Sequence, residues 1–308
     1  MLKQYVGCFC TPSFLFKPLI CFLVYFFFSC TQHLDFFLKI LYIIYEYIII
    51  ALILFKESIL RISVALAAYC GEKYIEEQLH SILCQLPEDG EIVVSLDPST
   101  DRTFEILSGI SSEDRRLRVI DGPGKGLIAN FENAVSACRG DIIFLSDQDD
   151  VWLPEKVKLM CTAFDDPDVT AVIHDASVTD GELNVISESF FSVHGRKEGT
   201  FNNWLRNSYI GCCMAFRREI IPAILPFPDK LPMHDQWIGI IGEQIGRTVF
   251  IDKPLILWRR HGDNSSSTSH AGVSQMIKWR ASLALALLKR RKEVARVRQE
   301  RAGSKNEN

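Results

Sequence analysis

The apolar positions of this chain follow two rhythms, and the change between them falls near residue 60. From Phe14 to Phe55 the residues are almost continuously apolar and aromatic, interrupted by Lys17, Gln32-His33, Asp35, Lys39 and Glu46. From Ile62 onward, short apolar runs alternate with stretches whose apolar residues recur at helical spacing. Ile62 to Ala67 is a β-branched and apolar run of strand length, broken by Tyr69-Cys70-Gly71. Lys73 to Leu86 then sets Tyr74, Ile75, Leu79, Ile82, Leu83 and Leu86 on one helical face. Glu91 to Leu96 follows a Pro87-Glu88-Asp89-Gly90 turn as a second buried strand, and Thr103 opens a helix after the loop Asp97-Pro98-Ser99-Thr100-Asp101. Leu117 to Ile120 is a third strand, Gly122 to Gly126 a turn, Asn130 to Cys138 a helix and Asp141 to Ser146 a fourth strand. Such alternation predicts right-handed βαβ units and an α/β fold with a mainly parallel central sheet and flanking helices.

After the fourth strand the pattern loosens. Ala171 to His174, Val178-Thr179, Gly211 to Arg217, Thr248 to Ile251 and Leu255 to Trp258 read as strands. Phe190 to Asn203, polar and glycine-containing, reads as a mobile loop. Met233 to Trp237 opens a helix running through Ile241, and Val273 to Arg298 is a long terminal helix.

The candidate chemistry sits directly behind the fourth strand, where Asp147, Gln148, Asp149 and Asp150 follow Ser146. Three carboxylates in one small volume repel one another unless a cation neutralises them. In open α/β sheets ligands bind in the crevice outside the carboxyl ends of the strands. Asp97 ends the second strand and shares that rim. The cluster therefore points to a divalent metal and a phosphorylated substrate. Taken alone, it is equally a solvated turn, with Asp150 capping a helix that begins near Leu153-Pro154-Glu155.

Composition changes this picture in three ways. A chain of 308 residues, 48% hydrophobic, can bury one large core with appendages. The formal charge of −4 conceals an acidic body: residues 61–270 carry twenty basic and thirty-two acidic groups, a net −12. That argues against a nucleic-acid partner. Residues 271–308 carry ten basic and three acidic groups, a net +7, which suits contact with anionic lipid or a solvated helix end. The ten cysteines include no C-x-x-C pair, the usage of a reducing compartment and not of a zinc site or disulfide scaffold. Within residues 1–60, Phe36 to Phe55 has the length of a membrane span, though Lys39 and Glu46 fall inside it at roughly 2.5–3.5 kcal/mol for a central charge. Two readings stand: a membrane anchor, or upstream sequence read through a misplaced start, whose Phe/Ile/Tyr/Leu/Lys bias is what an AT-rich untranslated region would encode.

The order of motifs resembles a known family. Ile62-Ser63-Val64-Ala65-Leu66-Ala67-Ala68-Tyr69, Ser99-Thr100-Asp101, Asp147 to Trp152 followed by Leu153-Pro154-Glu155-Lys156, His234-Asp235 and Arg259-Arg260-His261 resemble the family-2 glycosyltransferases, nearest to rhamnosyltransferase-like members of bacterial polysaccharide assembly. Each motif is weak alone, and their order is what makes them specific. The resemblance covers about residues 61–270, with 1–60 an apolar segment and 271–308 a basic helical tail. It implies a GT-A nucleotide-diphospho-sugar transferase fold. It also implies inverting hexosyl or rhamnosyl transfer to a glycan or lipid-linked acceptor, assisted by Mg2+ or Mn2+, at the cytoplasmic face of the cell membrane.

The resemblance further implies a role for each residue. Tyr69 packs against the nucleobase. Asp97 accepts from the base N–H, although Leu96 stands where members usually carry another acid. Lys125 reaches a phosphate, with Asn130 a further candidate. Asp147 contacts the ribose or the water shell of the metal, Asp149 ligates the metal, and Asp150 orients the loop or contacts the sugar. His261 completes the site as metal ligand or diphosphate donor, with Arg259 or Arg260 beside it. Asp235 is the base that takes the acceptor proton, the alternative being a helix cap. His234 stands where many members have Glu. Trp152, Trp204 and Trp237 are sugar-stacking candidates set against core packing, and Gly211-Cys212-Cys213-Met214 resembles the acceptor-side strand. The Gln-x-x-Arg-Trp signature of processive synthases is absent, which implies single additions. Two other classes remain: a haloacid-dehalogenase-like phosphatase, for which Val151 stands where a Thr is expected, and a non-catalytic membrane-associated scaffold.

Overall fold

The computed structural model describes residues 39–47, 60–262 and 272–305. The chain divides into two compact units, Met1–Ile59 and Leu60–Asn308. In the first, residues 39–47 are helical. Both readings of residues 1–60 rest mainly on positions outside the described residues. Among the described residues no helix is long and apolar enough to cross a membrane.

The second unit opens with the expected alternation: β1 (Ile62–Ala68), α1 (Ile75–Leu83), β2 (Glu91–Leu96), α2 (Thr103–Glu113), β3 (Leu117–Asp121), α3 (Leu127–Ala137) and β4 (Ile142–Ser146). These strands pair in parallel in the order β3-β2-β1-β4. Every residue of β1 and β4 is buried, which explains their unbroken apolar character: helices cover both faces of a parallel sheet. The helix α1 buries Ile75, Leu79 and Ile82 on its apolar stripe, together with Gln78.

The chain continues as β5 (Val151–Trp152), α4 (Lys156–Ala163), β6 (Val169–Thr179), β7 (Val185–Ser187), α5 (Phe190–His194) and α6 (Thr200–Leu205). A 3-10 turn at Gly211–Cys213 leads to β8 (Met214–Arg217), α7 (Ile221–Ile224), α8 (His234–Ile245), β9 (Arg247–Arg259) and α9 (Val273–Lys305). The sheet extends from β4 as β8-β6-β9-β5, with β7 on β6. Because β8 is antiparallel to both β4 and β6, and β9 is parallel to β6, six of the nine described strands share one direction.

Five expectations need correction. The two strands expected between Ala171 and Thr179 are one, and so are the two between Thr248 and Trp258. The pair β6–β9 shifts register at His174/Asp175 and Asp175/Ser177, and Pro254 sits opposite Asp175 at that irregularity. A proline is tolerated there because a bulge relaxes the ladder. Phe190 to Asn203 is not a loop throughout but carries α5 and the start of α6. The buried Asp175 carboxylate accepts from the Phe191 N–H (2.9 Å) and from the Ser189 hydroxyl, and Ser189 Oγ caps α5 by accepting from Ser192 N–H. Gly211–Cys213 is a 3-10 turn, not strand. Asp150 caps no helix, because the chain enters β5 at Val151 and α4 starts only at Lys156.

Candidate active site

The carboxyl ends of β1, β2 and β4 open into a cleft of about 790 Å³, which Tyr69, Asp97 and Asp147 to Asp149 line together with Asn207, Gly211 and Met233-His234-Asp235. The candidates expected at the nucleoside end are held by a polar clamp. Tyr69 exposes 59% of its surface, but both its backbone groups are tied to the Gln148 side chain: its N–H donates to Oε1 (2.8 Å) and its carbonyl accepts from Nε2 (2.9 Å). A Cβ on Gly71 would come within 2.4 Å of Gln148 Oε1, so the clamp needs glycine there. Ser99 and Asp101 brace the same loop, accepting from Cys70 N–H (3.0 Å) and Glu72 N–H (3.0 Å). Asp97 Oδ1 accepts from Gly124 N–H (2.8 Å), which ties the second strand end to the glycine turn. On that turn Gly124 and Gly126 line the cleft, whereas Lys125 is exposed and outside the lining. Asn130 does line it, with Nδ2 donating to the Ala68 carbonyl (3.1 Å) and Oδ1 buried without a partner.

The acidic loop is fixed from below. Gln78 Nε2 donates to Ser146 Oγ (2.7 Å) and to the Asp147 carbonyl (3.0 Å). Asp150 is wholly buried; Oδ1 accepts from Arg259 N–H (3.0 Å) and Oδ2 has no hydrogen-bond partner. The Arg259 guanidinium donates to the Asp149 carbonyl (2.7 Å) and the Gly181 carbonyl (2.8 Å), and pairs with Glu77 (2.5 Å). Arg259 is therefore a brace for the loop. Arg260 stands 4.9 Å over the Trp258 ring and is outside the cleft lining. The His261 ring reaches the loop: Nε2 lies 2.8 Å from Asp149 Oδ2, with both side chains largely buried.

Charge in this loop is under strain. Burial, then Asp149 and Asp235, push the Asp147 carboxyl up to about 7. Burial, then Asp149 and Asp147, hold Asp150 well above the carboxylate range. Lys156 answers them from beneath, fully buried, with Nζ donating to the Cys212 carbonyl (2.7 Å) and 4.0 Å from the Trp152 ring centre. Burial lowers its pKa to about 8, against the pull of Cys213, Cys212 and the two aspartates.

Asp235 lies in the first turn of α8, 4% exposed. Met233 occupies the cap position, so the cap reading of Asp235 gives way. Its Oδ1 accepts from Gln236 N–H (2.5 Å) and Asn207 Nδ2 (3.2 Å), and burial pushes its pKa up to about 6. His234, 3% exposed, stacks on Phe131 at 4.1 Å; both ring nitrogens lack partners, and burial lowers its pKa to about 4. A Cβ at Gly211 would stand 3.0 Å from His234 Nε2, a close contact that the imidazole would have to yield to.

Residues 63–225, more than half of the chain, match the model of the family described as glycosyl transferase family 2. The chain belongs to that family. It is 26% identical over 228 residues to an uncharacterized glycosyltransferase of Nostoc sp., covering 70% of each chain. It is 26% identical over 215 residues to the dTDP-rhamnosyl transferase RfbG of Shigella flexneri, covering 65% of this chain and 72% of that one. The crystal structure of S. aureus TarS 1-349 in complex with UDP-GlcNAc superposes with a TM-score of 0.57 at 20% identity, over 74% of this chain and 66% of that one, just under two thirds of its length. At that identity the likeness shows the fold, a GT-A-like arrangement. Neither the phosphatase nor the scaffold reading is favoured by these matches.

For this family-2 glycosyltransferase the tryptophan candidates need correction. Trp152 and Trp237 are buried in the core, and the Trp237 indole donates to the Ile224 carbonyl (2.8 Å). The Trp204 indole donates to the Arg280 carbonyl (3.1 Å). None of the three lines the cleft; Trp258 does, edge-on to Phe190 at 5.4 Å. Sequence reasoning missed Trp258, and nothing in its surroundings separates it from a core tryptophan. It also missed Gln148 as a clamp and Lys156 as a buried cation, though both lie inside quoted motifs.

The residues fit a divalent cation. A carboxylate oxygen and an imidazole nitrogen converge at Asp149 and His261, an oxygen–nitrogen donor set that Mn2+ accepts and Mg2+ tolerates. Asp147, Asp150 and the Cys212 sulfur also place ligand atoms within 4.8 Å of one another. The Cys212 thiol is held well above its usual range by its hydrogen bond with Cys213 and by burial, so it is a poor partner for a hard cation.

Proposed function

We propose that the protein transfers a sugar, with inversion, from a nucleotide-diphospho-sugar to a hydroxyl of a glycan or lipid-linked acceptor. The observation that carries this reading is Asp235, a buried carboxylate lining the same cleft as Asp147 and Asp149, with a pKa near 6. At neutral pH such a group is about nine-tenths ionised, yet basic enough to accept a proton as the acceptor oxygen attacks. The oxygen bonds to the anomeric carbon, the carbon–phosphate oxygen bond breaks, the proton passes to Asp235, and the nucleoside diphosphate leaves.

The chain's other residues position the donor. Tyr69 and Asp97 take the nucleoside end, Asp147 the ribose, and Asp150 shapes the loop through its bond to Arg259 N–H. Lys125 and Arg260 are the candidates for the diphosphate, though both stand outside the cleft lining. Asp149 and His261 hold the divalent cation, Mg2+ or Mn2+, which when bound offsets charge on the departing diphosphate. Rhamnosyl transfer is supported by the likeness to RfbG, and a UDP-sugar is the other donor class. The six cysteines among the described residues are all free, in keeping with reaction at the cytoplasmic face of the membrane.

A screen of UDP-sugars and dTDP-rhamnose against the full-length chain, with Mg2+ or Mn2+ and an acceptor glycan, tests this. Nucleoside diphosphate release and an inverted anomeric configuration by NMR are expected. Release of inorganic phosphate alone, or a retained configuration, would overturn it.

A further inference from the structure

The helix α9 carries an apolar stripe that stays largely exposed among the described residues. Leu283, Val294 and Val297 are buried and define the side turned to the domain. Ile277, Leu285 and Leu288 are 60%, 60% and 61% exposed. At about 100° per residue these three fall on one face with Ala281 and Ala284, away from the buried side. From Ile277 to Leu288 the stripe runs about 17 Å at the α-helical rise.

The charges around it are of one sign. Gly272 through Lys292 contains six basic residues and no acidic one. Two of the six are engaged: Arg280 donates to the Leu205 carbonyl (2.6 Å), and Arg290 to the carbonyls of Leu225 and Pro226 (2.5 Å each). Lys278, Lys289, Arg291 and Lys292 are exposed and border the stripe. Residues 61–270 carry a net −12, so this cationic and apolar strip is set apart from its own domain.

We infer that this face of α9 lies in the interface of an anionic lipid bilayer. Apolar side chains enter the headgroup boundary while flanking lysines and arginines meet lipid phosphates. A second copy of the chain is a poorer occupant, because pairing two such stripes brings like charges together. The placement bears on the acceptor. Arg290 and Ser282, whose hydroxyl donates to the Lys230 carbonyl (3.0 Å), tie α9 to the segment 225–230, and the chain enters the cleft at Met233 just beyond it. Resting on the proposed transferase activity, this sets the bilayer beside the acceptor-side wall and favours the lipid-linked acceptor.

The test is co-sedimentation of the full-length chain with phosphatidylcholine vesicles with or without phosphatidylglycerol. The triple variant Ile277→Glu, Leu285→Glu, Leu288→Glu should lose about tenfold or more in partitioning onto anionic vesicles. The quadruple variant Lys278→Gln, Lys289→Gln, Arg291→Gln, Lys292→Gln should lose the preference for anionic over neutral vesicles, as wild type should in high salt. Unchanged partitioning of the triple variant would assign the contact elsewhere in the chain and overturn the inference. So would equal binding of wild type to both vesicles, or a wild-type oligomer that the triple variant turns into a monomer by light scattering. Donor cleavage in vesicle-free solution should stay at the wild-type rate in both variants. Wild type that binds vesicles but cleaves no nucleotide-sugar sinks the enzymatic reading and leaves the membrane face standing.

Discussion

Asp149 Oδ2 and His261 Nε2 stand 2.8 Å apart although 112 residues separate them in sequence. The strand β9 makes the meeting possible: it runs parallel to β6 and delivers Arg259, which binds the acidic loop at Asp149 and Asp150. The next residue but one is the histidine.

If this pair holds the cation, Asp149→Ala and His261→Ala should each lower kcat at least 100-fold, since a Lewis acid on a leaving diphosphate supplies several kcal/mol. Mn2+ affinity in the presence of the nucleoside diphosphate, followed by electron paramagnetic resonance, should fall in parallel. Chelation should abolish wild-type turnover, and added Mn2+ or Mg2+ should restore it. Full activity in either variant, with the melting temperature unchanged, would remove the pair from the site.

How far the sequence revealed this site depended on the kind of burial. The runs that became β1 and β4 are buried on both faces, and such strands read as unbroken apolar segments. The acids behind β4 were legible because they follow such a segment directly. By contrast, β6 and β9 looked like broken strands, because His174-Asp175 and Asp252-Lys253-Pro254 interrupt their apolar pattern. The two interruptions lie at the register shifts of one pairing, and a sheet neighbour that comes later along the chain, past β7 and β8, is invisible to local periodicity. Gln148 and Lys156 were missed for a related reason: a buried polar side chain with a specific partner has the same letter as an exposed one.

Asp235 makes a prediction about pH. If its carboxylate is the base, kcat/KM should rise about tenfold per pH unit below 6 and level off above it. Asp235→Asn should lose about 100- to 10,000-fold in turnover while keeping donor affinity. Stability runs the other way. The folded-state pKa of about 6 exceeds the ordinary aspartate value of 3.8, so the folded form binds the proton more tightly, and this stabilisation is lost as pH rises from 3.8 through 6. The Asn variant, neutral throughout, should therefore be more stable than wild type at pH 7.5, by about 3 kcal/mol in unfolding free energy, the difference falling to under about 1 kcal/mol at pH 4. Equal melting of the two proteins at pH 7.5 would contradict the burial cost.

Lys156 supports the loop from below, and its removal should be felt in the fold. Lys156→Met keeps the unbranched apolar stem of the side chain but leaves the Cys212 carbonyl without its donor and the buried aspartates without a nearby cation. Loss of one partner from a buried charged network costs about 3–5 kcal/mol. Urea denaturation at neutral pH should show a lower midpoint with an unchanged slope. The effect should shrink in acid, where Asp147, with its pKa near 7, is protonated and needs no counter-charge. A pH-independent loss would mean that packing on Trp152, not charge, is what Lys156 contributes.

The clamp between Gln148 and Tyr69 predicts a defect of binding more than of chemistry. Gln148 occupies both backbone groups of Tyr69, and Gly71 has no room for a side chain beside that amide. Gly71→Ala sets a methyl where Gln148 Oε1 now sits, so the amide must leave and the exposed Tyr69 ring loses its fixed base. Gln148→Ala removes the same two hydrogen bonds without the steric push, each worth about 1 kcal/mol net. Both variants should therefore raise KM for the nucleotide-sugar several-fold while kcat, which the proposed mechanism sets at Asp235 and at the Asp149–His261 pair, changes by less than about twofold. A fall in kcat with KM unchanged would show that Gln148 acts on the acidic loop itself and not through Tyr69.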